Sequence, residues 1–275
     1  MINNKISDNV VLGRMDSHNL IIQVGNIDKD FEVATEYIKV LHNITLTILE
    51  GEFIIITGPS GCGKSTLLHT ISGWEEPTFG NVLLFGEDIY AKDEEERAIF
   101  CNKKMTMVSQ KSYWVNSLNV LENIALPYLI SGYNKKEASK KAMQLLNLLE
   151  LEELAYYKPA DLSGGQQQRI NLLRALINNP DIVLADEPTG NLDSLNTTFV
   201  MDLFQKINKD LKRTVIVVTH NPNFLDFATR VIIMKDGRIA DTILNEPNFV
   251  STKPVGDILD LKKHGLKIEK KDWLK

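Results

Sequence analysis

The run Gly58-Pro59-Ser60-Gly61-Cys62-Gly63-Lys64-Ser65-Thr66 limits what this chain can fold into more than any other feature. It follows FIIIT (53–57), a short β-branched apolar run with strand character, and precedes LLHTISGW, which reads as helix. A glycine-rich turn between strand and helix aims successive backbone N–H groups at one point, at the positive end of the helix dipole. That is a site for phosphate oxygens, and the glycines at 58, 61 and 63 permit its turns and the close approach of an anion. The spacing is that of a P-loop, G-x-x-x-x-G-K-[ST]. Lys64 would pair with the β- and γ-phosphates of a nucleotide, Ser65 would ligate Mg²⁺, and Thr66 would add a hydrogen bond to phosphate. An incidental lysine in a glycine-rich turn is a poor account of this strand-loop-helix setting.

P-loops serve kinases, GTPases, helicases and transport ATPases alike, so the second half of the chain has to choose among them. IVLADE (182–187) is a buried-strand pattern ending in two carboxylates, at the edge where doubly wound sheets hold their ligands. Asp186 is placed to hold Mg²⁺ through water, and Glu187 to orient or deprotonate an attacking water. Upstream stands Leu162-Ser163-Gly164-Gly165-Gln166-Gln167-Gln168-Arg169. Its serine and glycines can form a second helix N-terminus with donors facing an anion.

With LSGGQ between the P-loop and the Asp-Glu pair, the chain resembles the ATPases of ABC transporters, over roughly 20–241. The resemblance implies that the signature (Ser163, Gly164, Gly165, Gln166) faces the P-loop of a second copy, so that two ATP molecules lie between two chains. It also implies roles for further residues. Gln110, in MTMVSQ, looks like the glutamine that touches Mg²⁺ and the attacking water and links the core to a helical lobe. Asn191, Leu192 and Asp193 look like the loop crossing the dimer interface, and His220, ending TVIVVT, like the switch histidine at the γ-phosphate. For the adenine-stacking aromatic upstream of the P-loop, Phe31 is the candidate and Tyr37 its competitor.

The implied fold is α/β: a P-loop NTPase core with a mostly parallel sheet, an antiparallel β subdomain and an inserted α-helical subdomain at about 112–162. The ATPase domain would span 20–244, between an N-terminal extension (1–19) and a C-terminal one (245–275). Periodicity agrees with that class, because strand-like runs at 20–24, 44–48, 53–57 and 80–85 give way to a helical pattern over 117–154. In KKEASKKAMQLLNLLELEEL, Ala138, Ala142, Leu145, Leu146 and Leu149 share one face. Helices at 165–178 and 195–211 then alternate with the apolar runs IVLA, TVIVVT and VIIM, the pattern of a parallel sheet covered on both sides. The acid-rich KDEEER (92–97) reads as solvated surface.

A composition of 43% hydrophobic residues fills such a core, and a formal charge of -5 gives no overall attraction to nucleic acid. Cys62 and Cys101 are the only cysteines, and a disulfide at Cys62 would obstruct the phosphate loop, which fits a reducing compartment. No run approaches the roughly 18 apolar residues needed to cross a bilayer, and the N-terminus has no basic region followed by an apolar core. The resemblance implies as partners integral membrane permease subunits and a second copy of the chain, at the cytoplasmic face of the membrane. DNA-repair and ribosome-associated ATPases share the signature. The former normally carry long coiled-coil insertions and the latter generally two nucleotide domains, whereas this chain has one P-loop and no such insertion. GEFIIITGPSGCGKSTLL, NVLENIALPYLISG and ADEPTGNLDS are similar to the subfamily of lipoprotein release, macrolide export and antimicrobial-peptide resistance. The six lysines against two acids in 261–275 read as a solvated tail or short packed helix.

Overall fold

The computed structural model describes residues 19–110, 113–190 and 194–245. The long strands β1 (Leu20–Val33) and β2 (Glu36–Leu49) form an antiparallel hairpin. β3 (Phe53–Thr57) then leads through the P-loop into α1 (Lys64–Ile71). β4 (Phe79–Leu84) and β5 (Glu87–Asp88) complete a four-stranded antiparallel sheet of order β2-β1-β4-β5. Next come α2 (Glu94–Lys104), β6 (Met105–Ser109), α3 (Val120–Ile130), α4 (Lys135–Leu148) and α5 (Gly164–Leu176). β7 (Ile182–Asp186), α6 (Ser194–Leu211), β8 (Thr214–Val218), β9 (Arg230–Lys235) and β10 (Arg238–Leu244) follow. The second sheet has six strands in the order β10-β9-β3-β8-β7-β6, parallel from β9 to β6, with β10 antiparallel at its edge.

Side chains of a strand point alternately to opposite faces, so a run buried throughout must be covered twice. In β3, Phe53 and Ile55 pack on the helical side with α3, α4 and α5, while Ile54 and Ile56 pack toward α1 and the antiparallel sheet. β8 divides likewise, Val215 and Val217 against Ile216 and Val218. Each aliphatic side chain buried this way contributes about 1.5–3 kcal/mol, which fixes the strand ends that carry the motifs.

The helical pattern over 117–154 resolves into two helices whose ends are set by local chemistry. Asn119 caps α3 in a reciprocal box with Glu122, and Asn134 caps α4. All five residues of the expected apolar face, Ala138 to Leu149, are buried. α4 stops at Leu148, and Glu150 takes a left-handed φ of 54°. Other elements differ from the sequence reading. β1 and β2 run well beyond 20–24 and 44–48, because backbone pairing continues through a polar arm that apolar alternation does not mark. KDEEER is solvated as expected, with Asp93 to Glu96 exposed, but it also starts α2: Asp93 caps it, three glutamates occupy the first turn and Lys103 and Lys104 the last, matching the helix dipole. The two terminal extensions lie outside the described residues.

Candidate active site

Register alone brings the motifs to one edge. Ile56 pairs with Val218, Val218 with Asp186, and Asp186 with Ser109, so these four stand in one row across β3, β8, β7 and β6. The next residue of each strand, Thr57, Thr219, Glu187 and Gln110, therefore emerges together at the carboxyl end of the parallel sheet. The P-loop leaves from the same row.

Gly58 opens the loop at φ 148°, and a β-carbon there would meet the Met234 carbonyl oxygen at 2.1 Å. Only glycine fits, and this close approach locks the loop against β9. Pro59, Ser60 and Gly61 are exposed, whereas Cys62 and Gly63 are buried beneath them. Gly63 caps α1 in a left-handed conformation, and having no side chain it leaves the first backbone N–H groups of the helix without a side-chain cap. Lys64 Nζ donates to the carbonyl oxygens of Gly58 (2.9 Å) and Pro59 (2.8 Å), folding the ammonium over the loop. Half-buried Thr66 lies in the first turn.

Ser65 Oγ donates to Asp186 Oδ1 at 2.9 Å, joining residues on either side of β8. His69, one turn further along α1, brings Nε2 to 3.9 Å from Asp186 Oδ2 and packs its ring on Trp74. Glu187 has a left-handed φ of 46° and donates its N–H to the Val218 carbonyl, which turns its carboxylate toward the loop ends. His220 Nδ1 lies 2.8 Å from Glu187 Oε1, with the rest of the ring largely exposed. When Nδ1 carries the shared proton, Nε2 of the neutral ring is an acceptor. Gln110 is exposed, and its amide lies over Gly190, where a β-carbon would meet Nε2 at 2.6 Å.

The structure thus brings Lys64, Ser65, Asp186, Glu187, His220 and Gln110 to one edge. Ser163 and Gln166 sit elsewhere, bonded to each other as the capping box of α5, with Ser163 and Gly164 exposed. Phe31 is half-buried on the β1–β2 arm and Tyr37 is highly exposed on it. Asn191, Leu192 and Asp193 lie outside the described residues. Sequence reasoning passed over two neighbours of the site. One is His69, whose spacing from Lys64 on a helix was available as a signal. The other is buried Gln168, which donates to the Pro188 carbonyl at 2.8 Å and ties α5 to the loop after Glu187.

Among the described residues no helix is long and apolar enough to cross a membrane. The family model described as ABC transporter matches residues 41–190. A lipoprotein-releasing system ATP-binding protein, LolD 1, of Chlorobium chlorochromatii is 42% identical over 224 residues, covering 81% of this chain and 91% of that protein. An uncharacterised ABC transporter ATP-binding protein of Methanocaldococcus jannaschii, MJ0796, is 41% identical, covering 80% and 95%. The structure of that cassette as a dimer in a post-hydrolysis state, bound to ADP and Pi, matches with a TM-score of 0.77 and 38% identity, covering 82% of this chain and 98% of the other. With this match and the P-loop edge described above, the chain belongs to the ABC transporter family, among its ATP-binding subunits.

Proposed function

We propose that the chain binds and hydrolyses ATP as the engine of a separate membrane permease, at the cytoplasmic face of the membrane, for export or for lipoprotein or peptide release. The observation that carries this reading is the convergence of Ser65 with Asp186 (2.9 Å) and of His220 with Glu187 (2.8 Å) at the P-loop edge. The relatives named for lipoprotein release, and the dimeric ADP-bound cassette, support the cargo class and the two-copy assembly. The ATPase unit is residues 20–244, with the helical subdomain at about 112–162.

Phosphoryl transfer is governed by positioning and electrostatics, and the residues divide accordingly. The backbone N–H groups of 61–66 and Lys64 hold the phosphates, and Thr66 adds a hydroxyl. The Ser65 hydroxyl and the Asp186 carboxylate, already in contact, suit a hard cation that keeps waters and shares substrate oxygens. Mg²⁺ held there would neutralise developing charge on the β- and γ-phosphate oxygens. Glu187 accepts the proton of the attacking water and Gln110 orients that water. His220 holds Glu187, and for its ring to donate to the γ-phosphate it must turn or carry a second proton. Phe31 stacks on adenine, and Ser163 with Gly164, Gly165 and Gln166 closes the site of a second copy.

The reading is tested by affinity purification of the chain from its native membrane, together with its molecular mass with and without ATP. An integral membrane protein in the eluate and an ATP-dependent doubling of mass are expected. Ribosomes in the eluate with no membrane protein would overturn the permease assignment.

A further inference from the structure

Two residues before Phe31, Lys29 makes three contacts with one ammonium group. Its Nζ stands 4.8 Å from the centroid of the Phe31 ring. It pairs with Glu75 Oε1 at 2.6 Å and donates to the Glu76 carbonyl at 2.7 Å, with the side chain only 12% exposed. A carboxylate and a backbone carbonyl hold the ammonium at the ring face.

The acceptors belong to the segment that leaves the P-loop helix. The N–H groups of Trp74 and Glu75 both donate to the His69 carbonyl, in the last turns of α1. Further along, Thr78 braces β1 on either side of Lys29: its N–H donates to the Asp28 carbonyl, and its hydroxyl accepts from Asp30 N–H at 2.9 Å. These bonds hold the register shifts of β1 around Lys29. Opposite, Val40 of β2 lies against Gly63, the cap of α1, where a β-carbon would meet its carbonyl at 3.1 Å. The arm that carries Phe31 is therefore tied to α1 from both strands.

We propose that Lys29 is a positioning residue for the nucleotide base: it occupies one face of the Phe31 ring and so presents the other face to a purine. The proposal rests on the reading of Phe31 as the adenine contact. An ammonium over an aromatic face is attracted by the ring quadrupole, and desolvation strengthens the attraction. A phenylalanine lacks the hydroxyl that could anchor a tyrosine by hydrogen bonding, so its orientation depends on such face contacts.

The test uses the purified full-length chain and its equilibrium binding of ADP and of pyrophosphate, which has no base. Lys29→Met should weaken ADP binding about three- to ten-fold and leave pyrophosphate binding unchanged. Lys29→Arg, which keeps a cation able to reach both Glu75 and the ring, should bind ADP like the unmodified chain. Phe31→Ala should weaken ADP binding, and adding Lys29→Met to it should weaken ADP binding no further. Unchanged ADP binding by Lys29→Met, or tighter binding, with Phe31→Ala still weakened, would overturn the role of Lys29 alone. Equal weakening for pyrophosphate would assign Lys29 to the phosphates or to the fold and also overturn it. If Phe31→Ala binds ADP normally, the stacking assignment itself is wrong, and this proposal falls with it.

Discussion

The Ser65 hydroxyl donates to Asp186 across 2.9 Å, although 121 residues separate the two in the chain. The contact exists because β8 holds β3 and β7 in a common register, so that the strand ending in the P-loop and the strand ending in Asp186 finish level. On the proposed reading these two side chains are the two halves of the Mg²⁺ site. Asp186→Asn keeps the shape and removes the charge. Mg²⁺-dependent ATP binding should weaken about 10- to 100-fold, with Mg²⁺-free binding unchanged, as a magnesium titration of ATP affinity would show.

Gly58 faces the Met234 carbonyl so closely that one methyl group has no room. Gly58→Ala should destabilise the chain by about 1–3 kcal/mol through backbone strain, and should displace the loop. Thermal unfolding combined with nucleotide titration checks both effects, and an unchanged melting temperature would mean that β9 yields easily.

Gln168 is the side chain through which the signature helix holds the loop after Glu187. Gln168→Leu leaves the Pro188 carbonyl without that donor, a loss of about 1–3 kcal/mol for a buried group. Because Glu187 already sits at a positive φ, the loop should relax and turnover should drop about ten-fold, with ATP affinity nearly unchanged. Steady-state kinetics should show a lower kcat at constant KM.

A buried ion pair joins the two sheets away from the site. Arg230 Nη2 donates to Glu52 Oε2 at 2.7 Å and to the Thr47 carbonyl, and the Leu49 N–H also reaches Glu52. Burial pushes the Glu52 carboxyl above its usual range, while Arg230 and the Leu49 N–H oppose that rise. A carboxyl raised in the folded state binds its proton more tightly there than in the unfolded chain. Its contribution is thus most favourable at low pH and is lost as pH rises through the folded value. Arg230→Met removes the main opposing charge and should carry that loss to higher pH. Denaturant unfolding from pH 5 to pH 8 should show the variant losing stability with rising pH relative to the unmodified chain.

The chemistry of the site is readable in the sequence wherever it is local. The P-loop needs only its own residues and the strand and helix beside it, and the helical face from Ala138 to Leu149 needs only its spacing. Asp186, Glu187 and His220 could be named as strand-end residues, but their meeting depends on strand order, which pairs β7 with β8 and β8 with β3. β10 could not be read from alternation because most of it is exposed. α2 is a solvated helix with little apolar periodicity to mark it, and its signals are the Asp93 cap and the order of acids before lysines. The contact of Lys29 with Phe31 has no signal in the sequence, since two-residue spacing in a strand broken by register shifts does not say which faces meet.

The central claim is that this edge hydrolyses ATP with Glu187 as the base. ATP turnover by the purified chain carrying Glu187→Gln, beside the unmodified chain, tests it most directly. A fall of about 10²- to 10⁴-fold with ATP binding retained is the expected result. Turnover at the unmodified rate would contradict the account.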